Sequence, residues 1–181
     1  LVPVVQSLLG RAYIRQQEYG PAQIVLQQSL QALTDSTDPA AVSYRLHTER
    51  ALTAANAGVQ LQAAIDTYGP NSPQVAALRL RLGLALRSIG DEDSAQREFQ
   101  MVLAFIRHSL QQENADFDAT LVVLTLMRQY QGATDEASML GQVLALLTGS
   151  NHNGRLNFAI NDLQQRLRQL QNPQNPGGTV A

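Results

Sequence analysis

The side chains that could do chemistry are few and far apart. His47, His108 and His152 each stand alone, with no HExxH and no second His three or four residues away, so none has the spacing that sets two imidazoles around a zinc ion. Asp91-Glu92-Asp93 lacks the alternating ligands, central Gly and terminal Glu of a calcium loop. Placed just before an apolar helical stripe, the triplet reads instead as a helix cap, with carboxylates at the positive end of the helix dipole. Asp116 and Asp118 are near neighbours, but nothing sets them on two sides of one substrate. There is no GxSxG nucleophile turn and no GxGxxG or GxxxxGK[ST] phosphate loop. All 13 positive side chains are Arg, so a phosphate-gripping Lys is ruled out, and with no Cys there is no thiolate to attack a substrate or bind a metal. The expectation is a chain that is not an enzyme and carries no cofactor and no metal.

Composition points the same way. At 181 residues the chain is long enough for one domain, and with 44% hydrophobic and 15% charged residues it can bury a core. Aromatics are only 5% and Trp is absent, while Leu and Ala abound at helical spacing, which favours close-packed helices over a β-sandwich. The formal net charge of -2 disfavours nucleic acid as a partner. Apolar runs such as Leu1-Val5 and Leu121-Leu124 fall far short of the roughly 20 residues that cross a bilayer, so no membrane span is expected. The chain opens on Leu1 rather than Met, which reads as a processed or excised form. Compartment is not legible, though a soluble, cytoplasmic chain is favoured. The 22 Gln residues fall mostly on polar helix faces and read as surface.

Internal similarity organises the rest. Leu82-Gly83-Leu84-Ala85-Leu86, Gly90 and Ala95 return 42 residues later as Leu124-Thr125-Leu126, Gly132 and Ala137, and each stretch reads helix, tight turn, helix. Leu9-Gly10-Arg11-Ala12-Tyr13, Gln17, Pro21 and Ala22 make an earlier copy, offset from Gly83 by 73 residues. That offset is about two units and predicts a worn copy between them, with helices at about Ala40-Ala54 and Val59-Tyr68. Gly20-Pro21, Asp38-Pro39, Asn71-Ser72-Pro73, Asp91-Glu92-Asp93 and Thr134-Asp135-Glu136 mark helix starts. Leu156, Ile160, Leu163, Leu167 and Leu170 form one apolar stripe, with Gln164, Gln165, Arg168, Gln169 and Gln171 opposite, as expected of a terminal capping helix. The run Asn172-Pro173-Gln174-Asn175-Pro176-Gly177-Gly178 predicts a flexible tail over 172–181.

The spacing of Leu-Gly, turn Gly and later Ala resembles the tetratricopeptide repeat family. Tyr68-Gly69-Pro70-Asn71-Ser72-Pro73 with the 42-residue step is similar to the longer variant found in kinesin light chains. The resemblance covers about Leu1-Thr148 and implies an all-α, right-handed solenoid. One domain over 1–171 would hold about four hairpins, near 1–33, 40–68, 73–112 and 117–148, and a capping helix near 154–171. In that family small residues sit where the hairpin helices cross, at positions matched by Gly10, Gly83, Ala22, Ala95 and Ala137, and Leu26 and Phe99 match the large residue one turn on. Thr125, Arg128, Gly141 and Val59 depart from the pattern.

The resemblance further implies a concave groove lined by the first helix of each unit. Arg11, Arg15, Tyr44, Arg45, Leu80, Arg81, Leu84, Arg87 and Tyr130 would line it, together with Ser7, Ile14, Leu126 and Gln129. The Lys/Asn clamp of the chaperone-binding members is replaced here by Ser7, Arg11, Arg45, Ala77 and Arg81, which leaves three Arg to pair with carboxylates. The expected function is a protein–protein interaction module, an adaptor or scaffold that binds a peptide or helix of a partner, an acidic or C-terminal segment being the kind these arginines suit. The alternative is a sensor or regulatory arm of a larger bacterial signalling or transcription-regulating protein. Self-association is a further possibility, through an apolar end at Leu1-Val5.

Overall fold

A computed structural model describes residues 2–34, 36, 39–111, 117–151 and 154–172, and every regular element among them is a helix. In order these are α1 (Val2–Arg15), α2 (Tyr19–Thr34), α3 (Pro39–Tyr68), α4 (Pro73–Ser88), α5 (Glu92–Gln111), α6 (Phe117–Gln129), α7 (Glu136–Ser150) and α8 (Asn157–Gln171). The all-α expectation is met. Contacts gather into two compact units, Leu1–Val102 and Leu103–Ala181, with the boundary inside α5. The tail from 173 onward, His152, Asp38 and Asp116 lie outside the described residues.

The first unit begins and continues with a close approach. α1 and α2 run antiparallel, and a Cβ on Gly10 would overlap the Leu26 side chain. Between α4 and α5 the same relation recurs, with Gly83 against Phe99. Only a residue without a side chain lets the backbone come this near, so the 73-residue spacing read in the sequence marks two equivalent crossings. The intervening turns also correspond: Gln17 (φ 62°) and Gly90 (φ 79°) occupy the left-handed region at the same place in each hairpin. At the start of α4 the Ser72 side chain accepts a hydrogen bond from the Val75 N–H at 3.2 Å, with Pro73 in the first turn. Asp91 does the same for α5, its Oδ1 accepting from the Ser94 N–H at 3.2 Å.

The second expected hairpin is not there. α3 is one continuous helix of 30 residues, about 45 Å long at 1.5 Å per residue. The Ala55-Asn56-Ala57-Gly58 segment, expected as a turn, contains no helix breaker stronger than a single Gly, and that Gly serves another purpose: a Cβ on Gly58 would collide with the Tyr19 ring. The buried face of α3 changes side along its length. Ala41, Thr48, Ala51 and Ala55 form one buried set and Ala54, Ala57, Leu61 and Ala64 a second, the two overlapping at the middle of the helix. At 100° per residue the two sets lie roughly 150° apart. Thr48 of the first set meets α1, where Ser7 Oγ and Thr48 Oγ1 are 2.8 Å apart, and α3 also packs on α2 and on α4. A helix used on opposite sides by successive neighbours shows no single apolar stripe, which is why its sequence reads as two pieces.

In the second unit α8 packs on α7 and α6. Leu156, Ile160 and Leu163 are buried while Gln164, Gln165, Arg168, Gln169 and Gln171 are exposed, as the stripe requires. Asn151 organises the approach to α8: its Oδ1 accepts from the Leu156 N–H at 3.0 Å and its Nδ2 donates to Asn157 Oδ1 at 2.7 Å. The crossing pattern of the first unit does not return. Ala137 is exposed rather than at a crossing, and nothing lies within 4 Å of where a Cβ on Gly141 would be.

Candidate functional site

On α1 the core side holds a Ser, a Gly and a single large aliphatic, while most of the helix's Val and Leu side chains are on the water side. Ser7, Gly10 and Ile14 face inward. Ser7 is satisfied by Thr48, and the Pro3 carbonyl accepts from Ser29 Oγ at 2.7 Å, so the inward face binds α2 and α3 by close approach and hydrogen bonds. The outward face comprises Val2, Val5, Leu8, Leu9, Ala12 and Arg15, with Val2 69% and Leu8 56% exposed. A surface helix ordinarily shows water its polar side. α3 continues the theme over its first turns, where Val42, Tyr44 and Leu46 are exposed among Arg45, His47 and Arg50. Seven of the twelve large apolar side chains most open to water among the described residues lie on these two stretches, which touch at Ser7 and Thr48.

The residues expected to line one groove separate into three groups. Leu80 and Tyr130 belong to the core, each about as buried as a side chain can be, and cannot meet a ligand. Leu80 is lost to the groove because α4 is covered on nearly all sides, with Val75, Ala76, Leu82, Gly83, Ala85 and Leu86 also buried. Tyr130 is held by its hydroxyl, which donates to Asp135 Oδ1 at 2.6 Å. Ser7, Ile14 and Leu126 are buried as well. Arg11 and Arg87 have structural partners: Arg11 Nη2 donates to the Ile89 carbonyl at 3.2 Å, while Arg87 pairs with Glu92 at 3.0 Å and lies 4.6 Å from the centre of the Phe99 ring. Leu84 is half-buried. Arg15, Tyr44, Arg45 and Arg81 remain on the surface. Arg45 makes a loose pair with Glu49 at 3.7 Å, and Arg81 Nη1 lies 3.5 Å from Gln60 Oε1.

Arg11, Arg45 and Arg81 do not converge on one carboxylate. Glu49 and Gln60, the partners of Arg45 and Arg81, are 11 residues apart on α3, about 16 Å along the axis. Arg11 is committed to the end of α4. His47 and His108 are exposed rather than packed, and no group of three or more His, Asp or Glu among the described residues could hold a metal ion.

Where the two hairpins of the first unit meet, Tyr19 is held by Gly58 and flanked by charge. Burial first, then the carboxylates of Glu98 and Asp91, push its phenol from 10.0 up to about 12. Arg79 bridges to Glu98 at 2.9 Å nearby. These groups lock a junction.

Sequence reading missed the most buried charge among the described residues. Glu136, expected as a helix-start carboxylate, is 3% exposed. Arg166 of α8 donates to both its oxygens, at 2.6 and 3.1 Å, and the Gly132 N–H donates to Oε2 at 2.7 Å. The Arg166 hydrogen bonds hold its carboxyl below the ordinary carboxylate range against the opposing effect of burial. The pair lines an open cleft of about 290 Å³ with Leu124, Met127, Gln131 and Asp162, but both carboxylate oxygens are already engaged, so it fastens α8 to the start of α7. Only the distance from Glu136 to Arg166, 30 residues, conceals the pair in the sequence. No helix among the described residues is long and apolar enough to cross a membrane. Comparison of the chain with protein-family models, curated proteins and solved structures found no match.

Proposed function

We propose that the protein is a protein–protein interaction module, an adaptor or scaffold built on helical repeats of the tetratricopeptide type and interrupted at its second unit by the continuous α3. The equivalent Gly10–Leu26 and Gly83–Phe99 crossings support the repeat reading. The observation that carries the function is the concentration of exposed aliphatic side chains on α1 and the first turns of α3. An apolar surface of this kind costs solubility and is favourable once covered, at about 25 cal/mol per Å² removed from water.

The partner site is the start of α3. Val42 and Leu46, one turn apart, supply the apolar contact, and Arg45 and Arg50 flank them around the helix with charge that suits an acidic peptide or helix. Because the α3 residues that Arg45 and Arg81 reach, Glu49 and Gln60, stand about 16 Å apart along the helix, the ligand is an extended or helical segment rather than one terminal carboxylate. A photo-crosslinking amino acid in place of Leu46 should capture a defined protein, and the same group in place of the exposed Gln62, farther along α3, should not. Identical adducts from both positions, or none from position 46, would remove the proposal. Leu46→Glu should abolish binding of the captured partner without changing helicity.

A further inference from the structure

The outward face of α1 has a property the α3 site lacks: it is its own complement. Its exposed residues are Val2, Val5, Leu8, Leu9, Ala12 and Arg15. Turned end for end about a point between Leu8 and Leu9, the set maps onto itself. Val2 falls on Arg15, Val5 on Ala12, and Leu8 on Leu9.

We infer that a second copy of this chain covers α1, the two helices packing antiparallel about a two-fold axis beside Leu8 and Leu9. A two-fold contact uses one patch on both subunits, so each patch must fit itself. In this register the larger Val5 meets the small Ala12 of the second copy, and the four central Leu side chains form the dry middle. Charge decides both the partner and the direction. The face carries no charge before Arg15, so a charged segment laid on it would lose hydration without a counter-ion. Parallel pairing would set the two Arg15 side chains against each other, whereas antiparallel pairing separates them by about 20 Å, beyond the roughly 8–10 Å over which salt lets exposed charges act.

α1 has 14 residues and is about 21 Å long, so the contact is small and the dimer is expected to be weak, with a dissociation constant of about 1–100 µM. This assignment goes beyond the partner site on α3 and does not depend on it, since no residue of that site takes part.

Sedimentation velocity on the 181-residue chain tests it. From about 1 to about 200 µM the chain should pass from monomer to dimer, and Leu8→Glu should raise the dissociation constant at least about thirtyfold while circular dichroism stays unchanged. Leu46→Glu should leave dimerisation intact. The chain has no Cys of its own, so single cysteines report the register. Val5→Cys mixed with Ala12→Cys should oxidise to a disulfide-linked dimer faster than either variant alone. A monomer at every concentration, a dimer indifferent to Leu8→Glu, or faster self-linkage of each single-cysteine variant would overturn the assignment. A dimer lost only with Leu46→Glu would overturn it too, by moving the contact to α3.

Discussion

The first and last helices of the described chain, α1 and α8, are close in length and opposite in logic. α8 and the residue before it turn Leu156, Ile160 and Leu163 inward, the helix shows water its glutamines and Arg168, and Arg166 fastens it through a buried ion pair. α1 turns Ser7, Gly10 and Ile14 inward and shows water Val2, Val5, Leu8 and Leu9. α1 is held by close approach at Gly10, by the buried Ile14 and by three hydrogen bonds, while α8 is held by the burial of several aliphatic side chains and by charge. The difference teaches that amphipathicity alone does not say which side of a helix faces the core. A helix finished on its outer side is an end, and one left apolar there is an attachment point.

Equivalent insults at the two helices should therefore have unequal effects. The largest is Leu163→Glu, which forces a carboxylate into the α8 core and should cost about 3–5 kcal/mol in chemical denaturation followed by circular dichroism. Next is Asn56→Pro, which tests whether the helix supporting α1 is continuous: a proline there should cost about 3 kcal/mol or more, but would be tolerated in a turn between two helices. A loss under about 1 kcal/mol would restore the hairpin and undo the account of α3.

Removing the α8 anchor by Glu136→Gln should cost about 1–3 kcal/mol at neutral pH. Its pH dependence has a definite sign. The folded carboxyl stays ionised where the unfolded one takes up a proton, so the pair contributes fully above the ordinary carboxylate range and its contribution fades as pH falls through and below it. Denaturation midpoints of the variant should therefore fall less steeply in acid than those of the parent.

Tyr19 gives the opposite end of the scale. The unfolded phenol ionises near 10.0 and the folded one near 12, so between those values stability falls as pH rises. Tyr19→Phe should remove that part of the alkaline loss, and absorbance titration should find one late phenol missing from the five tyrosines. The smallest effect belongs to α1: Leu8→Glu should change the stability of the monomer by no more than about 0.5 kcal/mol. A loss as large as that of Leu163→Glu would mean that the outward face is part of the core.

Much of the fold was legible because its punctuation has local causes. Ser72-Pro73, Gly90-Asp91 and the 73-residue return of Gly10 and Leu26 as Gly83 and Phe99 each express a cap, a left-handed turn or a close crossing. The continuity of α3 was not legible, because the reason for Gly58 is Tyr19, a residue of another helix. Two of the residues expected to line the groove were misplaced for a related cause. Leu80 and Tyr130 occupy plausible inward positions on a repeat template, but what surrounds α4 and what the Tyr130 hydroxyl bonds are tertiary facts. Of the outward face of α1 only the Leu1-Val5 end was legible as a place for self-association; that Leu8, Leu9 and Ala12 continue it depends on which side the neighbours took.

The long α3 has a mechanical consequence. It has two buried faces and three neighbours, α1, α2 and α4, yet the faces are cut into one rigid rod and held in fixed phase by an unbroken ladder of hydrogen bonds. Rolling the rod by a single residue, about 100°, would unseat both sets of side chains at once, so neither neighbourhood can slip alone. α3 is an axle whose two bearings share one setting, and a pull on the hairpin at either end is felt as torque at the other.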